Sequence, residues 1–409
     1  MWGGVVVVIW FARFCLGTLA LAWLGALVRA VRAKQDGTHR LDESSPGPEN
    51  FGRVGVVIPA RNEERHVGVL VESVLAQDYP NLVVAVLNDG STDRTGEILE
   101  RFEDHRLTVL DGGDGALPEG WLGKAWACQR GATALLEGDE VPDWLLFVDA
   151  DVTLHPRAIA AAVGHASRQD LGMVSGLGRL VMESFWEKVL QPAVAGLIMA
   201  GNDLEKVNDP ENDDDRPLAN GQFILVSREA YRAVQGHSAV RTDVLDDVGM
   251  ASAVKRAGFS YHLMFMRDLF SCRMYTNLSE LWEGWTKNMY AGMRYSLANL
   301  VVVMVFVAWM SLVPYVLLVW GLLAGHMEMA AWGGVITVLL QFVRLWLDLQ
   351  VGQDPRYGPT QPLAVVMLLV LLAHSGIRAK RGTAAWKGRQ VPIVKYADQG
   401  VEEAGKDST

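Results

Sequence analysis

The chain opens on an almost unbroken apolar run over residues 3–28, with Arg13 as its one charge. A run of about 20 apolar residues is enough for a helix to span a bilayer. Arg29, Arg32 and Lys34 come directly after it. The pattern predicts a transmembrane anchor over residues 1–34. By the positive-inside rule, the chain beyond these cations lies in the cytoplasm. The alternative is a cleaved signal peptide, but the run is long for one and no small-residue cleavage site comes after it. Residues 35–53 are polar, contain Pro46, Gly47 and Pro48, and read as a linker.

From Val54 the pattern alternates between short apolar runs and helical spacing. VGVVI (54–58), ended by Pro59, reads as a buried strand. Asn62 is placed to cap a helix with Glu63 and Glu64 in its first turn, and Val67, Leu70, Val71, Val74 and Leu75 fall at helical spacing. LVVAVL (82–87) is a second strand, with a helix starting at Ser91 or Thr92 and carrying Ile98, Leu99 and Phe102. LTVL (107–110), WLLFV (144–148) and FILVS (223–227) complete the predicted strands. Strands alternating with helices predict an α/β fold with a mostly parallel sheet covered on both faces. Ligands of such sheets sit beyond the carboxyl ends of the strands. Residues 178–201 mix apolar and charged positions and fit either an amphipathic helix on a membrane surface or a core-facing helix of the globular domain. Residues 208–216 are acidic and loop-like.

The C-terminal part is apolar again. Leu300–Leu323 is long enough to span, and Ala330–Leu349 reads as a second span with Arg344 and Asp348 near its end. Pro362–Ala373 is short for a third. The basic tail (Arg378, Lys380, Arg381, Lys387 and Arg389) belongs in the cytoplasm. With the α/β part also inside, an even number of C-terminal spans is required, so the third segment is expected to be re-entrant or interfacial.

Composition narrows the function. The 409 residues carry 37 Lys+Arg against 47 Asp+Glu, a formal charge of −10. With no basic patch to offset that balance, nucleic acid is excluded as a partner. Cys15, Cys128 and Cys272 are too far apart for a metal cluster or a disulfide framework and fit a reducing compartment. A mean hydropathy of +0.15 suits a soluble domain with apolar segments added at its ends.

The polar motifs fall where strands end. Asp149-Ala150-Asp151 closes the fourth strand, and alternation puts Asp149 and Asp151 on one side. Two carboxylates there make a hard-oxygen site for Mg²⁺ or Mn²⁺, although aspartates after a strand also serve as solvated loops or helix caps. Asn88-Asp89-Gly90-Ser91-Thr92-Asp93 ends the second strand. A strand-to-helix turn accounts for its Gly and its Ser or Thr, but not for Asp89. Asp246 and Asp247 precede or open a helix that runs through Val254, where a carboxylate favours the helix dipole and stays ionised, as a general base must. Lys124, in the turn Gly120-Trp121-Leu122-Gly123-Lys124, is either a surface lysine or a clamp for a leaving diphosphate.

In this order, Pro59-Ala60-Arg61-Asn62-Glu63-Glu64, Asn88 to Asp93, the Gly-Trp-Leu-Gly-Lys turn, Asp-Ala-Asp, Asn220-Gly221-Gln222 and Asp246-Asp247 resemble the inverting family-2 glycosyltransferases of GT-A fold. Within them the chain is similar to the membrane-anchored lipid branch: hopanoid-associated and chlorobactene-type carotenoid glycosyltransferases, and more distantly ceramide glucosyltransferase. The tail stretch Trp386-Lys387-Gly388-Arg389 is similar to this branch too. The resemblance covers roughly residues 50–295, a catalytic domain over 54–295, and the apolar and charge pattern adds membrane segments over 296–376 and a basic then polar cytoplasmic tail over 377–409. It implies that Pro59, Ala60, Glu63 and Asp89 line the nucleotide pocket. Asp149 and Asp151 would hold a divalent metal, Lys124 would face the diphosphate, and Gly221 and Gln222 would lie near the donor sugar. Asp247 would be the base, with Asp246 beside it. The implied donor is UDP-glucose, and the implied acceptor is a hydroxyl of an isoprenoid or other membrane lipid.

The departures also inform. Asn88 stands where many members have aspartate, and Gln235-Gly236-His237 replaces Gly-Gly-His. The Gln-x-x-Arg-Trp motif is absent, which argues against polymer synthesis. Trp282, Trp285, Lys287, Asn288 and Arg294 occupy that region instead, with Lys287 or Arg294 available to clamp phosphate and the tryptophans suited to a membrane interface. Two other readings remain: a polyprenyl-phosphate sugar transferase, whose acceptor arrives ionised and needs no strong base, and a non-catalytic membrane scaffold.

Overall fold

A computed structural model describes residues 13, 16–25, 28, 39–113, 117–212, 217–350, 352–381, 384–386 and 389–391. The cations predicted to flank the N-terminal run, the acidic residues 213–216 and most of the C-terminal tail lie outside these. In chain order the principal elements are β1 (Val54–Ala60), α1 (Val67–Leu75), β2 (Leu82–Asn88), α2 (Thr95–Leu99), β3 (Leu107–Asp111), α3 (Gly123–Leu136), β4 (Trp144–Val148), β5 (Val152–Leu154), α4 (Ala158–Arg168), β6 (Met173–Leu177), β7 (Arg179–Leu180) and α5 (Phe185–Ala200). These continue with β8 (Phe223–Ser227), α6 (Arg228–Ala233), α7 (Asp246–Arg256), β9 (Tyr261–Phe265), β10 (Phe270–Cys272), α8 (Leu278–Gly292), α9 (Leu297–Ser311), α10 (Val313–Ala324), α11 (Met327–Gln350) and α12 (Gln361–Lys380).

By compactness the chain forms two units. The sheet unit holds residues 39–181 and 200–274, and the helical unit holds 182–199 and 275–382 with the N-terminal residues. The main sheet runs β3-β2-β1-β4-β8-β6-β9. β1 pairs in parallel with β2 and β4, β2 with β3 and β6 with β9, whereas β8 runs antiparallel to both its neighbours. Alternation along each strand separates two cores. Val54, Val56, Ile58, Val84, Leu146 and Leu225 pack with α1 and α4, while Val57, Ala85, Leu145, Ile224 and Val226 pack with α3 and α7. The α3 contact is close enough to require glycine: a Cβ on Gly131 would stand 2.5 Å from Val57 Cγ1.

Turn chemistry moves two predicted helix starts. β1 continues through Pro59 to Ala60, and Asn62 then adopts φ +54° rather than a capping geometry. Its Oδ1 accepts from Thr92 N at 2.8 Å, and α1 begins only at Val67. Ser91, Asp93 and Thr95 are likewise used across the gap, accepting from Asn62 N, Glu64 N and Glu63 N. α2 therefore starts at Thr95 rather than at Ser91 or Thr92, and Phe102 lies beyond its end.

The helical unit also departs from the apolar pattern. α5 clusters with the helical unit, and its residues Val189, Leu190 and Val194 are buried. Leu300–Leu323 is not one uninterrupted helix but α9 and α10, which meet at Leu312. Leu312 is the joint: its N donates to Ala308 O at the end of α9, and its O accepts from Val316 N at the start of α10. Pro314 has no N–H to offer Met310 O, and the indole N–H of Trp23 donates to that carbonyl at 2.9 Å. The segment read as short, Pro362–Ala373, belongs to a helical stretch of 26 residues, Pro355–Lys380. That stretch and Met327–Leu349 are both long and apolar enough to cross a membrane.

Candidate active site

The register brings the polar motifs to one edge of the sheet. Ala60 lies opposite Asn88, so the turns after β1 and β2 start side by side. β4 runs parallel to β1 and ends at Val148, which faces Phe223 of antiparallel β8. Asp149 and Asp151 therefore leave the edge at which Gly221 and Gln222 enter. They lie in the turn between β4 and β5, not within a strand as alternation assumed.

Five predicted residues meet in one cluster. Lys124, in the first turn of α3, places its Nζ 2.7 Å from Asp149 Oδ1 and 3.8 Å from Asp246 Oδ2. Asp246 and Asp247 open α7. Asp247 Oδ2 accepts from Gly221 N at 2.9 Å and its Oδ1 from Val248 N at 2.8 Å. A Cβ on Gly221 would stand 2.8 Å from the Lys124 ammonium. Burial pushes the Asp247 carboxyl up to about 6, helped by the charge of Asp246 and opposed by Lys124 and the two backbone N–H donors. Burial also raises Asp149 to about 6, with Lys124 opposing and Asp151 adding repulsion. Lys124 loses solvation, but Asp149 and Asp246 outweigh that and hold it protonated, well above the usual lysine range. The cluster thus combines a fixed cation with a recessed carboxylate that titrates near 6, the two attributes needed to receive a diphosphate and to take up a proton.

Beside the cluster lie Cys272 and His237, to which the sequence assigned no role in the site. Gln222 Nε2 donates to Cys272 Sγ at 3.1 Å, and Asn220 Nδ2 donates to Gln222 Oε1 at 3.1 Å. Cys272 stands opposite Val152, next in sequence to Asp151. His237 is buried among Tyr231, Phe147 and the charges of Asp246 and Lys124. Burial, with Lys124 and against Asp246, lowers it to about 4, so it is neutral at ordinary pH. Only adjacency in the folded sheet reveals these neighbours.

Asp89 is 4% exposed, and its backbone N donates to Ala60 O at 2.8 Å. The guanidinium of Arg61 donates to the Asp89 and Gly90 carbonyls and so braces the turn. Asp89 comes directly after β2 and stands two strands from Asp149, with β1 between. Pro59, Ala60 and Glu63 flank it on the β1 side.

Among the described residues no group of three or more His, Cys, Asp or Glu side chains forms a metal cage. Asp149 and Asp151 nonetheless fit a magnesium-like ion. Such ions take one or two carboxylates and complete their shell with water and substrate phosphates, and each of these aspartates feels the other's charge.

Residues 55–234 match the family described as Glycosyl transferase family 2. It is 27% identical over 353 residues to a 4,4'-diaponeurosporenoate glycosyltransferase of Staphylococcus aureus strain MRSA252, covering 85% of this chain and 90% of that protein. The counterpart from strain bovine RF122 / ET3-1 is 26% identical with the same coverage. A mannosyltransferase of Pyrobaculum calidifontis, solved with GDP-Man and Mn²⁺, superposes with a TM-score of 0.50 at 17% identity, over 89% of this chain and 97% of that one. The sheet order, the family match and this neighbour make the fold GT-A.

Proposed function

We propose that the protein is an inverting hexosyltransferase that moves glucose from UDP-glucose to the polar end of an isoprenoid lipid of carotenoid type, at the cytoplasmic face of the cell membrane. The observation that carries this reading is the cluster of Asp247, Gly221, Lys124 and Asp149 at the carboxyl edge of the sheet. The relatives' name, which specifies a carotenoid-type acceptor, supports the substrate class.

In this mechanism Asp89, Pro59, Ala60 and Glu63 line the uridine pocket, and Gly221 and Gln222 border the donor sugar. Asp149 and Asp151 would hold Mg²⁺ or Mn²⁺, which supplies charge neutralisation for the diphosphate. Lys124 adds a fixed positive charge beside the departing phosphates. Asp247, oriented by Gly221 N and Val248 N, takes the acceptor hydroxyl proton. The hydroxyl oxygen bonds to the anomeric carbon from the face opposite the diphosphate, the bond to the diphosphate oxygen breaks, and UDP leaves with the electron pair. Asp246 helps keep Lys124 charged.

A second reading concerns the acceptor group. The relatives' name denotes a carboxylate-ended isoprenoid, and a carboxylate arrives ionised and needs no base. Membranes bearing the protein are supplied with labelled UDP-glucose and Mn²⁺, and the extracted lipids are weighed by mass spectrometry. Glucosylated lipid formed by the wild type and lost with Asp247→Asn supports a hydroxyl acceptor. Glucosylation that survives in Asp247→Asn assigns the carboxylate acceptor, and no glucosylated lipid from the wild type overturns the proposal.

A further inference from the structure

The helical unit contains two helices long enough to cross a bilayer, yet its internal contacts give them different roles. We infer that α12 does not cross: it lies along the leaflet on the side where the chain joins the sheet unit, with the acyl chains of that leaflet as its partner. This inference is independent of the proposed chemistry.

Two helices mark that side by connectivity. The chain enters α5 after Val181 and returns to the sheet unit at Ala200, so α5 begins and ends on one side. α8 begins shortly after Met274, the last residue of the sheet unit before it, and carries Glu280, Glu283 and Lys287, which keep it out of hydrocarbon.

α11 crosses away from this side. Near its C-terminal end, Arg344 Nη2 donates to Lys188 O of α5 at 3.4 Å. Near its N-terminal end, Glu328 pairs with Arg13 of the N-terminal helix. Its 24 residues rise about 36 Å, enough for a bilayer core of about 30 Å. The pair α9 and α10, joined at Leu312, makes the other crossing. Leu300 lies by α8 and α12, whereas Gly321 packs against Ala330 at the Glu328 end of α11.

Both ends of α12 are tied to the same side. At its start, Gln361 Oε1 accepts from Arg344 Nη1 at 2.8 Å. The ring of Tyr357, just before it, lies 5.3 Å from Lys188 Nζ of α5. Towards its end, His374 Nδ1 accepts from the Trp282 indole of α8 at 2.9 Å, and Ser375 Oγ bonds Tyr290 N and Thr286 O of α8. Twenty residues extend about 30 Å, so a crossing helix would carry one of these ends to the opposite face. The exposed residues Leu363, Val366, Val370 and Ile377 form one stripe within about 60° at 100° per residue. Ala364, Leu368, Leu371 and Ser375 are buried on the other face. Arg378, Lys380 and Arg381 come at the end, suited to lipid phosphates. Two crossings after the sheet unit return the tail to its own side, the parity that the basic tail requires.

The test uses the full chain. Alkaline phosphatase or a fluorescent protein is fused after Thr409, with phosphatase inserted at the Gly325–His326 turn as the opposite-face control. A fluorescent, phosphatase-inactive C-terminus is expected, and an active C-terminal phosphatase overturns the inference. In a Cys15→Ser background, spin labels at Leu363→Cys, Val370→Cys and Ile377→Cys report depth through oxygen and nickel-chelate accessibility. Depths that agree within one helical turn, about 5 Å, are expected. A monotonic series spread over about 21 Å overturns the inference. If a labelled variant fails to fold, the fusion result alone decides.

Discussion

The backbone N–H of Gly221 donates to Asp247 Oδ2 at 2.9 Å, and the same glycine leaves the space in which the Lys124 ammonium sits. One backbone position therefore orients a carboxylate and makes room for a cation. Gly221→Ala would push Lys124 aside without touching either core. The expected result is a fall in turnover of about tenfold or more, since a preorganised charge is displaced, with little change in melting temperature. Lys124→Ala should cost about 10²-fold in kcat by the same reasoning. Steady-state kinetics beside thermal melts check both.

Asp247 accepts a proton only when ionised, and burial raises its carboxyl to about 6. Under a hydroxyl acceptor, kcat should therefore hold above pH 6 and fall about tenfold per unit below it. Asp247→Asn should lie about 10²–10⁴-fold lower and lose this limb. A pH–rate profile at saturating donor reads both effects.

His165 Nε2 and His262 Nδ1 face each other at 3.1 Å on α4 and β9, with His39 and Arg168 nearby. Burial first, then these neighbouring charges, lowers His165 to about 4, and burial with His39 lowers His262. Between the ordinary histidine value and about 4, the unfolded chain binds more protons than the folded one, so stability falls as pH drops through that window. The melting temperature should decline from pH 6.5 to 5, and less steeply in His165→Phe.

Gly131→Val would drive a side chain into Val57, where a Cβ already stands 2.5 Å from Cγ1. Overpacking of this kind costs about 1–3 kcal/mol. A lowered denaturation midpoint with an unchanged Km for the sugar donor is the expected pattern.

The parts legible from sequence were those in which one local pattern decides. WLLFV and FILVS are continuous apolar runs, and the structure places strands over the same residues. Asn62 and Thr92 misled because a short polar side chain after a strand can cap its own helix or bond a neighbouring turn, and here Asn62 Oδ1 takes Thr92 N across the gap. The end of α12 was hidden because His374 and Ser375 interrupt the apolar count, although in the fold both are satisfied by α8. Gln222 and Cys272 lie 50 positions apart, and only the placement of β10 beside β5 makes them neighbours. For the same reason the cluster around Lys124 could be expected from motif order but not measured: its distances depend on β8 running antiparallel to β4.

The bond from Trp23 to Met310 O joins positions 287 apart. A ribosome therefore finishes the first helix long before the carbonyl that needs it has been made. Closure of the Trp23 indole over the proline defect is therefore a late step in the assembly of the helical unit.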